Sequence, residues 1–499
     1  MSETTPATTF THFLSKSRFI RGLQCHKALW LQTHRPELQD EVSASQQAVF
    51  DAGTNVGILA QGLYPGGIEV PYDGMSYEEQ IAMTQTEIQK GTRTIYEATF
   101  NYDGVFCKVD ILHHGQNGWE LHEVKSSTGC KAQYLDDIAI QYYIVTGSGL
   151  KLSYAGLVHI DNTYVRRGNI EVDKLFSKLD LTEQIKGMQE EIAQTVAAQR
   201  EMLKGEEPCI EIGTQCGKPY PCPFIGHCWK ECPENSVFDL SNFRSNKKWA
   251  LFREGIKSML DVPDEYLGWR QKLQVRGLRE ELLHVDKPAI QGFLDGLHYP
   301  LCFMDFETVY MLPVPLWDGT GPYKQIPFQF SLHIIDEQGA EPQHIEFLSD
   351  GVSDPRIEFL DKLLTSLPSD VCILVWNKTF ERRRLQELAA AFPEKSDAIR
   401  QIIQNIRDLM VPFQDMSIYH SKFNGSYSIK NVLPVLVTEL NHSDLAISSG
   451  DVAADSWLQM IQSESEDERD TLQAQLKEYC CLDTYGMIKI LEEMRTYVV

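Results

Sequence analysis

The stretch YPLCFMDFETV, residues 299–309, starts with a buried β-strand pattern, in which apolar residues dominate. It carries two carboxylates, Asp305 and Glu307, at i and i+2. Residues two apart on a strand face the same side. Two carboxylates presented from an apolar strand are costly unless a cation neutralises them. As hard oxygen ligands they suit Mg²⁺ or Mn²⁺. A strand that emerges at its exposed end can also carry Asp and Glu with no ligand role.

Working outward, FQFSLHIID (328–336), HIEFLSD (344–350) and DVCILVWN (370–377) read as further strands, and FERRRLQELAAAF (380–392) as a helix. DMSIYHSKF (415–423), GSYSIKNVLPVL (425–436) and a final helix around 472–495 complete an α/β sheet with helices packed on it. The last helix contains YCCLD, which puts Tyr479 and Asp483 at i and i+4 on one face. A Tyr hydroxyl beside a metal-binding carboxylate can orient an attacking water. Glu381 opens a helix just after a buried strand, near the C-terminal edge of the sheet, where α/β sites commonly lie. Asp415 is either another site carboxylate or a capping residue. Lys430 is either a phosphate contact or a solvated surface lysine.

These motifs resemble those of the DnaQ-like exonucleases of the RNase H fold. LCFMDFET resembles their first motif, in which Asp-x-Glu binds both metals, so the resemblance gives those roles to Asp305 and Glu307. WNKTFERRRL resembles the second, with two residues between Asn377 and Phe380, and Glu381 where the family usually has Asp. YCCLD resembles the third motif of the tyrosine subtype, with Tyr479 positioning water and Asp483 as the last metal ligand. The resemblance implies a 3′–5′ exonuclease domain with Mg²⁺ or Mn²⁺, using two ions about 3.5–4 Å apart.

A second constellation lies upstream. TFNYDGVFCKVDIL (99–112) and WELHEVKSS (119–127) read as strands joined by the turn HHGQNG (113–118). Asp110 sits on the first, and Glu123 and Lys125 share a face of the second. Two carboxylates and a lysine can hold one cation and stabilise charge on phosphate; a cross-strand salt bridge is the plainer alternative. The segment YLDDIAIQYYIV (134–145) has helical spacing, KLSYAGLVHI (151–160) reads as a strand, and 181–204 as a long helix. The set resembles the PD-(D/E)xK nucleases of the RecB and CRISPR-adaptation type. That resemblance makes Asp110 and Glu123 metal ligands, Lys125 catalytic, and Gln141 a holder of substrate or lysine. The tyrosine usual four residues after that Gln is Val145 here, with Tyr142 and Tyr143 nearer, and GTNVGILA around Gly57 lacks the usual upstream His.

Twelve cysteines in a chain of 499 residues suggest metal or cluster ligands rather than disulfides if the protein is intracellular. Cys216, Cys222 and Cys228 recur every six residues in CGKPYPCPFIGHC, and Cys25 lies far upstream in a helix expected over 11–35. Four thiolates suit tetrahedral Zn²⁺ as well as an iron–sulfur cluster. The resemblance to the iron–sulfur branch of that nuclease family, with one Cys before the core and three after it, implies a 4Fe–4S cluster. Cys209 and Cys232 are alternates, whereas Cys302, Cys372, Cys480 and Cys481 read as inert core residues. Lys16, Arg21 and Lys27, with Trp30 available for stacking, either line a DNA-facing groove or serve as surface and core anchors.

The length predicts several domains: a PD-(D/E)xK restriction-endonuclease-like fold with a metal-cluster tail over 1–235, a helical linking module over 236–297, and an RNase H-like fold over 298–499. Net charge is −24, from 46 basic and 70 acidic residues, which argues against a nonspecific nucleic-acid-binding surface, although a basic groove can coexist with an acidic exterior. The acidic run ESEDERD (464–470) reads as an exposed mobile loop, and the Thr-rich residues 1–10 as disordered. No apolar run long enough to span a membrane and no signal-peptide pattern is visible, so a cytoplasmic location is expected. The whole resembles a bacterial fusion of an iron–sulfur PD-(D/E)xK module with a DnaQ-like module. The expected activity is metal-dependent DNA degradation, acting on single-stranded DNA or DNA ends in repair, recombination or defence. The alternatives are an RNA-processing 3′–5′ exonuclease and a nucleic-acid-binding protein with degenerate nuclease sites.

Overall fold

The computed structural model describes residues 14–310 and 312–498, so the Thr-rich segment 1–10 lies outside the described residues. The chain has a mixed α/β, multidomain architecture and divides into two compact units. The first takes the residues up to Glu231 together with Leu312–Tyr323; the second takes the chain from Cys232 onward apart from that segment.

In the first unit, five strands form the body of a sheet: β1 (Thr94–Tyr102), β2 (Val105–His114), β3 (Trp119–Lys125), β4 (Leu152–Ile160) and β5 (Phe176–Asp180), side by side in that order. The short strands Leu14–Ser15 and Ile68–Glu69 pair with β2 and β1. The two short strands pair in parallel; among the five main strands pairing is antiparallel except between β3 and β4, whose parallel register needs a crossover. Helix α3 (Ala132–Gly147) makes that crossover and buries Ile138, Ile140 and Ile144 against the sheet. The stretch 99–112, expected as one strand, is a hairpin. Asp103 and Gly104 take φ of 50° and 69°, the left-handed pair that a two-residue Asp-Gly turn requires. The helix expected over 11–35 is two, α1 (Lys16–Gln24) and α2 (His26–His34), because Cys25 between them has extended backbone. The helix expected over 181–204 is likewise two, Thr182–Gly187 and Gln189–Met202. Leu312–Tyr323 is tied into this unit: Tyr323 donates to the carbonyl of Ser126 at 2.6 Å, and Arg166 donates to the carbonyls of Pro315 and Leu316 at 3.0 and 2.6 Å.

The second unit holds a sheet of β6 (Leu301–Val309), β7 (Ile326–Ile335), β8 (Gln343–Leu348), β9 (Cys372–Val375) and β10 (Ile406–Asp408). Their order across the sheet is β8-β7-β6-β9-β10, antiparallel from β8 to β6 and parallel from β6 to β10. Four helices matter for the site: α4 (Lys378–Ala391), α5 (Ile429–Leu436), α6 (Gly450–Gln462) and α7 (Glu466–Thr496). Alternation along β6 divides the core. Cys302, Met304 and Phe306 pack with Phe359 and Leu385 on one face. Leu301 and Phe303 pack with Met487, Ile488 and Leu491 of α7 on the other. Asp305 and Glu307 continue this second face, so the fold lays α7 over them. Residues 236–297, expected as a linking module, fall in this unit. Their small core of Leu240, Leu251, Met259 and Val275 is joined to the rest by the pairing of His284–Val285 with Ile418–Tyr419.

The acidic run at 464–470 does not form a loop. Ser465 caps α7 by accepting from the Glu468 N–H, and Glu466, Asp467 and Glu468 fill the first turn. Negative charge there faces the positive end of the helix dipole, so the charge that suggested a loop instead suits a helix start. Among the described residues, no helix is long and apolar enough to cross a membrane.

Candidate metal centres

The register of β6 places Asp305 opposite Ser331 and Glu307 opposite Gln329 of β7. On its other side β9 pairs only with Leu301–Phe303, so the acidic end of β6 projects past the point where the chain leaves β9 for α4. Two helices close on that end. From α7 come Tyr479, Cys480 and Asp483; from α4 comes Glu381. The ligand atoms of Asp305, Glu307 and Cys480 all lie within 4.8 Å of one another. The Cys480 thiol points at Asp305 Oδ2 from 4.0 Å.

The electrostatics are those of a site short of positive charge. Burial raises the Asp305 carboxyl well above the ordinary range, and Asp483 beside it adds to the shift, with Lys430 opposing. Burial also raises Glu307, helped by Asp305 and Asp483. Glu381 is raised by burial and then by Asp305, and its Oε2 is buried with no hydrogen-bond partner. Asp483 accepts from His442 Nε2 at 2.8 Å, both residues being buried. Tyr479 is driven up by burial and by the same carboxylates, so it stays a phenol and a donor. Lys430, on α5, holds its ammonium 5.2 Å from the centre of the Tyr479 ring. Asp415 is absent from the cluster: it is exposed and accepts from the N–H and hydroxyl of Ser417 at 3.0 and 2.7 Å, a turn role.

Sequence reading missed several members of this region. Asp408, at the end of β10, accepts from the backbone N–H groups of Asn377 and Lys378 at 3.2 and 3.0 Å, and so fixes the start of α4. His442 had no motif around it. Cys480 and Cys481 were read as inert core, as Cys302 and Cys372 are, but each lies in a polar cluster. Cys481 joins His333 and His344 in a second group whose ligand atoms lie within 4.8 Å of one another. Burial, with His344 alongside, lowers His333 to about 4. The donor sets in this part of the chain are therefore consistent with a metal-dependent centre.

In the first unit the expected residues also meet. Glu123 is buried and bonded from three sides: by Lys16 Nζ at 3.0 and 3.1 Å, by Lys125 Nζ at 2.8 Å and by Gln141 Nε2 at 2.6 Å. Burial opposes its ionisation, yet Lys125 and Lys16 outweigh that and hold its carboxyl below the usual range. Asp110 accepts from the Val124 N–H at 2.7 Å, and burial followed by the Glu123 charge raises it. Lys125 also pairs with Asp137 at 2.7 Å. Glu97, which no motif flagged, falls between Tyr96 and Ala98, which pair with Ile111 and Val109 on either side of Asp110, and it has a left-handed φ of 55°. A non-glycine residue held there in mid-strand is strained. A lone carboxylate in the apolar run TIYEATF was the available signal. Tyr142 packs against the core and Tyr143 donates to Asp103 at 3.3 Å.

Cys25, Cys216, Cys222 and Cys228 line one cavity, with Lys27 and Phe224. The extended break at Cys25 and the hydrogen bond from Cys222 N to Cys216 O at 2.8 Å bring them there. Burial raises the thiols of Cys222 and Cys228. Cys209 is exposed and does not line the cavity, and Cys232 falls in the second unit. Of the residues expected to line a DNA-facing groove, Lys16 bonds Glu123, Lys27 pairs with Glu207 at 2.9 Å and Trp30 donates to the Gly205 carbonyl at 3.0 Å, while Arg21 reaches Gln24 at 3.5 Å and keeps its Nε buried without a hydrogen-bond partner.

Residues 302–428 match the family described as Domain of unknown function (DUF2779). The chain is similar to the uncharacterized protein MG366 of Mycoplasma genitalium, 27% identical over 38% of this chain and 31% of that protein. Its homolog in Mycoplasma pneumoniae is 28% identical over the same shares, and the uncharacterized protein UU173 of Ureaplasma parvum is 28% identical over 30% of this chain and 24% of its own length. The chain thus spans a third or less of the length of these curated relatives.

Proposed function

We propose that this chain is a metal-dependent phosphodiester hydrolase whose second unit degrades DNA from 3′ ends, in an RNase H-like fold of the DnaQ type. One observation carries the reading: Asp305 and Glu307 from β6, Glu381 from α4 and Asp483 from α7 gather in one buried patch, with Tyr479 and Lys430 beside them. The β8-β7-β6-β9-β10 order, three antiparallel strands followed by parallel ones, supports that fold.

The carboxylates fit Mg²⁺ or Mn²⁺, because an unpartnered buried oxygen of Glu381 and raised Asp305 and Glu307 all ask for positive charge. Divalent cations held there would lower the pKa of a water and stabilise the leaving oxygen. The Tyr479 hydroxyl, kept protonated, orients that water. His442 fixes the rotamer of Asp483, and Lys430 offers its ammonium to a substrate phosphate.

In the first unit, the Asp110–Glu123–Lys125–Gln141 set supports a PD-(D/E)xK-like reading. Lys16 lies on both oxygens of Glu123, the place a cation would take, which favours loading of single strands over cutting. The four cysteines, gathered around one cavity, support the reading of an iron–sulfur cluster, with zinc as the alternative that four thiolates also suit.

The test is digestion of end-labelled single-stranded DNA, double-stranded DNA and RNA with Mg²⁺ or Mn²⁺, wild type beside Asp305→Ala, Lys125→Ala and the double variant. Asp305→Ala should abolish release from the 3′ end. Unchanged release sinks the assignment, and faster release from RNA moves it to RNA processing.

A further inference from the structure

Helix α7 serves two clusters. Cys480 and Asp483 turn toward the carboxylates, while Cys481 and Thr484, one residue further on in each case, turn toward the outer strands of the sheet. His333 on β7 and His344 on β8 are directly opposite in the strand register. Their rings stack with centroids 4.5 Å apart and planes 20° apart. One ring nitrogen of each lies within 4.8 Å of the other and of Cys481 Sγ.

The surrounding hydroxyls admit a self-consistent proton arrangement that leaves both rings free to ligate. His333 Nδ1 is 2.8 Å from Thr484 Oγ1, Ser331 Oγ is 2.7 Å from the same oxygen, and His344 Nε2 is 3.0 Å from Ser331 Oγ. Thr484 Oγ1 donates to the Cys481 carbonyl at 3.1 Å. With that proton committed, Thr484 accepts from both His333 and Ser331, and Ser331 in turn accepts from His344. In that arrangement each imidazole is neutral, donates through the hydrogen-bonded nitrogen and keeps the other nitrogen's lone pair for a metal. A ring whose second N–H is anchored is the usual form of a metal-ligating histidine. Two imidazoles and one thiolate are borderline-soft donors, matched to Zn²⁺ and not to Mg²⁺. The neighbouring carboxylate, Glu346, is engaged by Lys477 at 2.9 Å, which leaves a fourth position to water.

We propose that His333, His344 and Cys481 form a zinc site, separate from the carboxylate centre, which pins α7 to β7 and β8 and so holds Tyr479 and Asp483 in place. Binding displaces the Cys481 thiol proton to solvent, and no redox step is involved. His344 is exposed, which gives the ion a way in.

The full chain should be dialysed against micromolar Zn²⁺ with millimolar Mg²⁺ present and its zinc measured by mass spectrometry. His344→Gln and Cys481→Ser are the variants. The first alters an exposed ring and the second replaces one atom, so both should fold. Wild type should hold one more zinc per chain than either variant, because zinc elsewhere cancels in the difference. Zinc should also raise the Tm of the wild type and leave both variants unmoved. Equal zinc in wild type and either variant overturns the site. The readout is metal content, so it stands or falls independently of any nuclease activity.

Discussion

The Cys480 thiol lies 4.0 Å from the Asp305 carboxylate, a contact between the last helix of the chain and the first strand of its sheet. Because α7 covers the acidic face of β6, ionising Asp305 and Glu307 requires charge inside an apolar contact. Their folded-state pKa values stand above the ordinary carboxylate values of about 4. Below pH ~4 the carboxyls are protonated in folded and unfolded chains alike and cost nothing. As pH rises past that value the unfolded chain releases protons that the folded one retains, and stability falls. The metal-free protein should therefore lose Tm as pH rises above the ordinary carboxylate range. Added Mn²⁺ should raise Tm more at the higher pH. Differential scanning fluorimetry of wild type and Asp305→Asn with Glu307→Gln checks both; the double variant should keep its metal-free Tm at high pH and ignore Mn²⁺.

The Glu123 cluster predicts the opposite sign. Its carboxyl is held below the usual range, so its ion pairs stabilise above the unfolded value and are lost as pH falls through the folded one. Lys16→Met removes one of the ammonium groups but leaves Lys125 and Gln141 in place. The expected loss is about 1–3 kcal/mol, that of a buried polar group deprived of one partner. Urea unfolding followed by circular dichroism at neutral pH reads it, and an unchanged midpoint would mean that Lys16 contributes nothing.

The cysteine cavity makes a spectroscopic prediction. Protein purified without oxygen should be brown, Cys222→Ser should lose the visible absorbance, and Cys209→Ser should keep it, since Cys209 is exposed and does not line the cavity. Stoichiometric zinc and no iron in the anaerobic wild type would refute the cluster.

Much of this was legible in the chain because the motifs are local. LCFMDFET shows a strand period and two carboxylates together, and YCCLD a helix period, so Asp305, Glu307, Tyr479 and Asp483 could be read singly. What stayed hidden depends on tertiary register. Nothing near His333 or His344 marks them as cross-strand partners until β7 and β8 pair. Glu97 reads in the sequence as an ordinary strand residue, and only the folded register brings it beside Asp110. The run ESEDERD misled because charge density argues for solvent exposure, while the cap at Ser465 and the dipole that rewards those charges are properties of a helix already formed. Asp103–Gly104 was a readable hairpin signal, masked by the apolar run on either side.

The last prediction concerns His442, which bonds Asp483 and sets its ring edge-on to Tyr479, centroids 6.0 Å apart. Its Nε2 is 2.8 Å from Asp483 Oδ1 and its Nδ1 is buried without a hydrogen-bond partner. A donor in that position fixes which way the carboxylate faces, and partners of this kind cost about 10–100-fold in metal affinity or activity when removed. Under the proposed nuclease function, His442→Ala should therefore raise the Mn²⁺ concentration for half-maximal activity by about that factor, with a smaller effect on the rate at saturating Mn²⁺. His442→Gln, whose amide N–H can reach the same oxygen, should recover most of the loss. A histidine that only filled space would behave differently: Ala would lower Tm, and Gln and Ala would share the same metal dependence. Metal titrations of the three proteins at one pH, with Tm measured alongside, separate a positioning role from packing.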